Sequence, residues 1–239
     1  MRASSNIHEE LRMRLSSLPA PLRSKAARDL ARLKREVSST DDLLRLASSP
    51  QLLPEERARA VWALGVLRER KAQPVLFALL TKPMKAEVLA WETVKALAQL
   101  RPRGAAAALE EGLGHRSQLT RKVSAWALGQ LGLKRARVPL EIRLRDRREA
   151  PDVRAQAAEA LGSIGARQAA EALIEALEDR DAGVRFWSAY ALGEIGDARA
   201  LAPLQKLISD KSPGSGQHSV GLEARRAIAR IRGKTKARS

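Results

Sequence analysis

No cysteine occurs in this 239-residue chain, so disulfides, thiolate metal sites and cysteine nucleophiles are excluded. There are only seven aromatic residues, whereas Ala, Leu and Arg are plentiful, which is material for closely packed helices and leaves little that reads as sheet. The three histidines, His8, His115 and His218, stand too far apart for any two to share metal-ligand spacing. No run approaches the ~20 apolar residues of a membrane span, and Met1 to Leu18 alternates charged and apolar residues unlike a secretory signal. The expectation is a soluble, cytoplasmic protein. The glycines do not form a phosphate-cradling loop after a strand, and the adjacent carboxylates Glu110 and Glu111 read as solvated charge. Neither a catalytic constellation nor a cofactor site is legible, so the chain is expected to bind rather than catalyse.

The formal charge is +17, unevenly placed. Residues 1–37 carry +5, 38–112 carry +2, 113–148 carry +8, 149–210 carry −5 and 211–239 carry +7. Basicity concentrated in particular segments points to an acidic partner for those segments.

What organises the chain is an internal repeat. The motif Ala-Leu-Gly-x-[Leu/Ile] recurs with its central residue, the anchor, at Leu64, Leu97, Leu128, Leu161, Leu192 and Ile228. The residue before the anchor is always Ala, and the residue four before it is always small: Ala60, Thr93, Ser124, Ala157, Ser188 or Ala224. Together with the apolar residue three after the anchor, these positions share one helical face, the buried side of a first helix A. Twelve residues after the anchor stand Leu76, Leu109, Leu140, Leu173 and Leu204, and sixteen after it Leu80, Leu113, Leu144, Leu177 and Ile208, the stripe of a second helix B. Each repeat is thus a helical hairpin that must stack on its neighbours to bury its face.

The segment from Val153-Arg154 through Leu161-Gly162-Ser163-Ile164-Gly165, repeated as Val184-Arg185 through Leu192-Gly193-Glu194-Ile195-Gly196, resembles the HEAT-like repeat named after phycobilisome lyases. The resemblance covers about residues 55–232 and implies an all-α, right-handed α-solenoid of five to six hairpins. It also implies a ladder between repeats, made by Arg seven before the anchor and Asp eighteen after it, with Asp146 expected on Arg154 and Asp179 on Arg185. The family name alone raises a phycobilin lyase-like subunit as an alternative. His8-Glu9 resembles the His-Glu pairs of HEAT-repeat deoxyhypusine hydroxylases, but one pair does not make that site.

Residues 1–54 fall outside the repeat register and read as an N-terminal cap of three helices near 6–17, 20–37 and 40–48. The repeats occupy 55–211, a flexible loop 212–219, a terminal helix 220–232, and a basic disordered tail 233–239.

Departures from the repeat nominate the binding residues. Lys134, Arg135, Arg137, Arg143, Arg145, Arg147 and Arg148 crowd helix B of the third repeat, where the fourth has Glu171, Glu175, Glu178 and Asp179. Such crowding would be relieved by a carboxylate- or phosphate-rich partner. Two residues before the anchor, a position read as exposed, stand Trp62, Trp126 and Tyr190, with Trp187 one turn before the last; they either meet a partner or pack into the ridge between helices. Glu110, Glu141 and Arg143 intrude on helix B and are read as groove residues or as charges paired with one another. The leading reading is a scaffold for an acidic protein surface. Sequence-independent binding of a nucleic-acid backbone is the alternative. The oligomeric state is not legible.

Overall fold

The computed structural model describes residues 39–81, 86–101, 103–215 and 218–236. The two expected cap helices near 6–17 and 20–37 lie outside the described residues. The fold is an all-α solenoid of stacked helical hairpins: among the described residues there are twelve α-helices, and the only β feature is an isolated antiparallel bridge between Pro213 and Ser219. The chain forms two compact units, residues 1–108 and 109–239.

In the first unit, Thr40–Ser48 (α1) is followed by Pro54–Val66 (α2), Gln73–Thr81 (α3) and Glu87–Leu100 (α4). The Ser39 hydroxyl accepts the Asp41 N–H to start α1. Helix α2 opens on Pro54, and the Glu56 carboxylate accepts the Leu53 N–H at 2.9 Å. Helix α1 packs on α2, α2 on α4, and α3 on α4. After Ala105–Gly112 (α5), the second unit continues with Gln118–Gln130 (α6), Arg137–Arg145 (α7), Pro151–Ser163 (α8), Ala170–Ala176 (α9), Ala182–Ile195 (α10), Leu201–Leu207 (α11) and Val220–Lys236 (α12). There α6, α8, α10 and α12 stack in succession, and α7, α9 and α11 pack on the A helices that follow them.

The repeat columns form the core. All six alanines before the anchors are buried, as are the six anchors, and Leu76, Leu109, Leu140, Leu173 and Leu204 have no exposed surface. Burying each such leucine contributes roughly 1.5–3 kcal/mol. The glycine after the anchor is a packing requirement. A Cβ on Gly162 would lie 2.7 Å from the Ala191 Cα, and one on Gly129 would lie 2.8 Å from the Ala160 Cα. Consecutive A helices approach so closely that the methyl of one helix fills the notch left by glycine on the other.

Four residues after the anchor the chain turns left-handed to end helix A. Glycine takes this position in the second unit, at Gly132, Gly165 and Gly196, with φ of 66°, 64° and 74°. In the first unit Arg68 and Arg101 take it, with φ of 52° and 45°. An L side chain in this region costs on the order of 1 kcal/mol.

One boundary differs from the sequence expectation. Helix α12 runs to Lys236, so Gly233 to Lys236 continue the helix instead of beginning a tail. The reason is Lys234, whose Nζ donates to the carbonyls of Gly193 and Glu194 at 3.2 and 2.6 Å, at the electronegative end of α10. The segment 212–219 is tied back on itself by Gly214 N–H to His218 O at 2.9 Å and Val220 N–H to Ser212 O at 3.1 Å.

Candidate functional site

The Arg–Asp ladder exists, with a different pairing from the one expected. Arg154 Nη2 donates to Asp179 Oδ1 at 2.9 Å, and Arg185 Nε to Asp210 Oδ2 at 2.9 Å, so each arginine reaches the aspartate at the end of its own hairpin. The link to the preceding repeat is made through backbone: Arg185 Nη1 donates to the carbonyls of Asp179 and Arg180, and Arg154 Nη1 to the carbonyl of Glu149. Asp146 receives neither arginine; its carboxylate accepts the Arg148 N–H at 3.0 Å. The connection after α7 also differs in length: Asp146 to Arg154 spans two residues more than Asp179 to Arg185. The longer turn carries Glu149 into the aspartate's place, where it accepts two hydrogen bonds from Arg121, both 2.7 Å.

Glu149 and Asp179 are buried, which by itself pushes their pKa values up. For Glu149 the hydrogen bonds from Arg121 and the Ala150 N–H, with the charges of Arg121 and Arg143, outweigh burial and hold it below the usual range. Asp179 is likewise held down, against burial, by the Asp181 N–H and Arg154 and by the charges of Arg154 and Arg147. Glu149 and Asp179 therefore stay ionised beside their arginine partners.

Most of the arginines crowding helix B of the third repeat also find carboxylates. Arg135 meets Glu110 at 2.7 Å, Arg137 meets Glu141 at 2.6 Å, and Arg143 lies 3.5 Å from Glu149. Arg145 bonds Glu175 at 3.0 Å and approaches Glu141 at 3.9 Å, while Arg147 meets Asp179 at 2.9 Å. Thus Glu141 pairs with Arg137 and Arg145, not with Arg143. The acidic fourth repeat supplies two of the counter-charges, so much of the excess read from the third repeat is compensated across α7 and α9. Lys134 and Arg148 are exposed and form no ion pair among the described residues.

The aromatic column is half-buried, not exposed. Trp62, in the first unit, and Trp126, Trp187 and Tyr190, in the second, all have intermediate burial. Tyr190 lies edge-on to Trp187 with ring centres 5.5 Å apart, and the Arg230 guanidinium sits 5.3 Å from the Tyr190 ring centre. Tyr190 thus reaches Arg230 on α12, whereas the ring contacts of Trp187 are with Phe186 and Tyr190 of its own helix.

A feature missed from the sequence lies on the outward side of α7. Val138 is 49% exposed and Ile142 54% exposed, one turn apart, with Arg145 continuing the stripe. The signal was available: ten and fourteen residues after the anchor the fourth repeat has Glu171 and Glu175, where the third has these two apolar residues. Attention to the charges of α7 hid the apolar pair between them. The outward side of α7 is therefore a short apolar stripe continued by Arg145, which meets Glu175 of α9, with Arg135 and Arg148 in the turns before and after the helix.

Among the described residues no group of three His, Asp or Glu side chains is placed to hold a metal ion, and no helix is long and apolar enough to cross a membrane.

Residues 144–221 match the family of HEAT repeats. No curated protein matches the chain. Among solved structures, a designed armadillo repeat protein in complex with the peptide (KR)4 is 21% identical, with a TM-score of 0.55 over 81% of this chain and 100% of that one. An engineered protein is 22% identical with a TM-score of 0.55 over 93% of this chain and 98% of that one. YibA of E. coli is 16% identical with a TM-score of 0.55 over 94% of this chain and 82% of that one. At these identities the structural likeness speaks for the fold. The match over residues 144–221 and the stacked hairpins together show an all-α helical-repeat solenoid that is similar to HEAT repeats over those residues.

Proposed function

We propose that the chain is a non-catalytic scaffold that docks an acidic, partly apolar segment of another protein on the outward face of α7. The observation carrying this reading is the exposed Val138–Ile142 pair within an arginine border. An exposed apolar pair on an otherwise charged helix is the kind of anchor that protein interfaces use. The border supplies the charge selectivity. Arg145 and Arg135 are about half exposed in their pairs with Glu175 and Glu110, and surface pairs of this type are worth only about 0–1 kcal/mol, so incoming carboxylates can exchange with the resident ones at low cost. A pre-formed helical surface also loses little entropy on binding. The designed armadillo protein shows that this fold class can hold a charged peptide; the border of α7 reverses the sign required of the partner.

The test is affinity capture from a nuclease-treated extract at moderate salt, comparing the natural chain with Val138→Ser/Ile142→Ser. Proteins retained by the natural chain and lost from the double variant, with helicity unchanged, are the expected result. Capture that is identical for both chains, or that disappears with nuclease alone, overturns the reading.

A further inference from the structure

The α7 arginines are mostly paired, whereas a second set of cations is not. In the first unit a cleft of about 460 Å³ is lined by Arg70, Gln73, Leu100, Arg101 and Arg103. It lies where the turns that close the hairpins of α2 with α3 and α4 with α5 come together. None of its three arginines forms an ion pair among the described residues, and all three are exposed. Segments 67–73 and 100–104 contain one carboxylate, Glu69, which is occupied in accepting the Lys71 N–H at 2.9 Å. The Gln73 side-chain amide is anchored on the Arg103 carbonyl at 3.2 Å, tying the two turns together. Arg101 stands in the left-handed position that the second unit gives to glycine, so a charged side chain is held at the cleft against the backbone's preference.

The same construction recurs by register. The sixth residue after the anchor is Arg70, Arg103, Lys134 and Arg167 in successive repeats. In the second unit, considered separately, Lys134, Arg137, Arg167 and Gln168 line a smaller cleft of about 290 Å³.

We infer that the first-unit cleft formed by Arg70, Gln73, Arg101 and Arg103 binds the phosphodiester backbone of a nucleic acid without reading its sequence. Planar guanidinium forks suit tetrahedral phosphate oxygens, and three cations without carboxylates match an anion carrying several charges. Among the described residues Leu100 is the one apolar residue lining the cleft and no aromatic is placed there to stack a base, so recognition stops at the backbone. Within the first unit Arg70 and Arg103 stand at the same register one hairpin apart, which suits a ligand that itself repeats its charge. The inference is independent of the α7 docking face: Arg70, Gln73, Arg101 and Arg103 all lie in the first unit.

The experiment is fluorescence anisotropy of a labelled single strand of about 20 nucleotides with the full chain, titrated across salt from about 50 mM upward. The variant Arg70→Ala/Arg101→Gly/Arg103→Ala should lose on the order of tenfold in affinity at low salt, and its log–log salt slope should shrink by about 2, the loss of three phosphate contacts on a single strand. Arg68→Gly makes the same change at a left-handed position while leaving the cleft intact, and should bind like the natural chain. Equal or higher melting temperatures for both variants show that lost binding is not unfolding. Polyglutamate of matched charge should compete poorly. No binding by the natural chain at low salt, an unchanged slope in the triple variant, an equal loss in Arg68→Gly, or equal competition by polyglutamate would each overturn the assignment.

Discussion

The Arg154 guanidinium holds the Asp179 carboxylate at 2.9 Å across 25 residues of sequence, with the two side chains 7% and 2% exposed. That contact joins the start of α8 to the turn after α9. The Asp179 carbonyl in turn accepts Arg185, which reaches on to Asp210, so one aspartate serves two repeats through different atoms. Burial makes the pair sensitive: removing one partner strands a charge. Asp179→Asn should therefore destabilise the chain by about 3 kcal/mol, whereas replacing both partners by apolar residues of similar size should restore much of the loss. Denaturant unfolding of the single and double variants checks both.

Acid should unfold the chain through the same groups. Glu149, Asp179 and Asp210 all have folded-state pKa values below their ordinary ones: burial acts upward on each, but hydrogen bonds and nearby arginine charges win. A depressed folded value means that the stabilisation is complete above the unfolded carboxylate range and is lost as pH falls through the folded values. Melting temperature should be level from neutrality to about pH 5 and decline below about pH 4. Glu149→Gln should flatten part of that decline.

Two glycines in the same hairpin should fail for different reasons. Gly162→Ala places a methyl 2.7 Å from the Ala191 Cα and should cost roughly 1–3 kcal/mol by forcing α8 and α10 apart. Gly165→Ala meets nothing within 4 Å but must adopt φ of 64°, so its cost should be near 1 kcal/mol and conformational. Ala191→Gly removes the neighbouring methyl but leaves the Ala191 Cα at 2.7 Å, so it should rescue the first substitution at most in part and leave the second unaffected, as thermal melts of the four variants would show.

The arginines of α7 and its following turn should separate by what they pair with. Arg145 bonds a half-exposed Glu175, and Arg145→Ala should change stability by less than about 0.5 kcal/mol. Arg147 is itself exposed but caps the buried Asp179, so Arg147→Ala should cost more, on the order of 1 kcal/mol after allowance for solvent screening. Equal effects from both would contradict the pairing described here. Chemical denaturation resolves a difference of that size.

The columns of Ala, Leu and Gly made the hairpin, its phase and its buried face readable, because a helix that must bury one side repeats its small and apolar residues at fixed offsets. The catalogue of ladder residues was readable too, but their partners were not. Asp146 and Asp179 occupy the same register, yet two extra residues in one turn deliver Glu149 to Arg121 and leave Asp146 to cap a loop. Pairing depends on where a turn puts a side chain in three dimensions, and composition carries no record of that. Charge behaved likewise. The crowding of Arg135 to Arg148 was visible in the sequence, but their compensation by Glu110, Glu175 and Asp179 was decided by helices that stack side by side while lying about thirty residues apart in the chain. The sequence alone determined which residues repeat and so which fold they build; tertiary structure decided which charges are spent on one another and which, at Arg70, Arg101 and Arg103, form no ion pair among the described residues. The physical reason is that burial follows local periodicity, whereas electrostatic neutralisation follows distance in space.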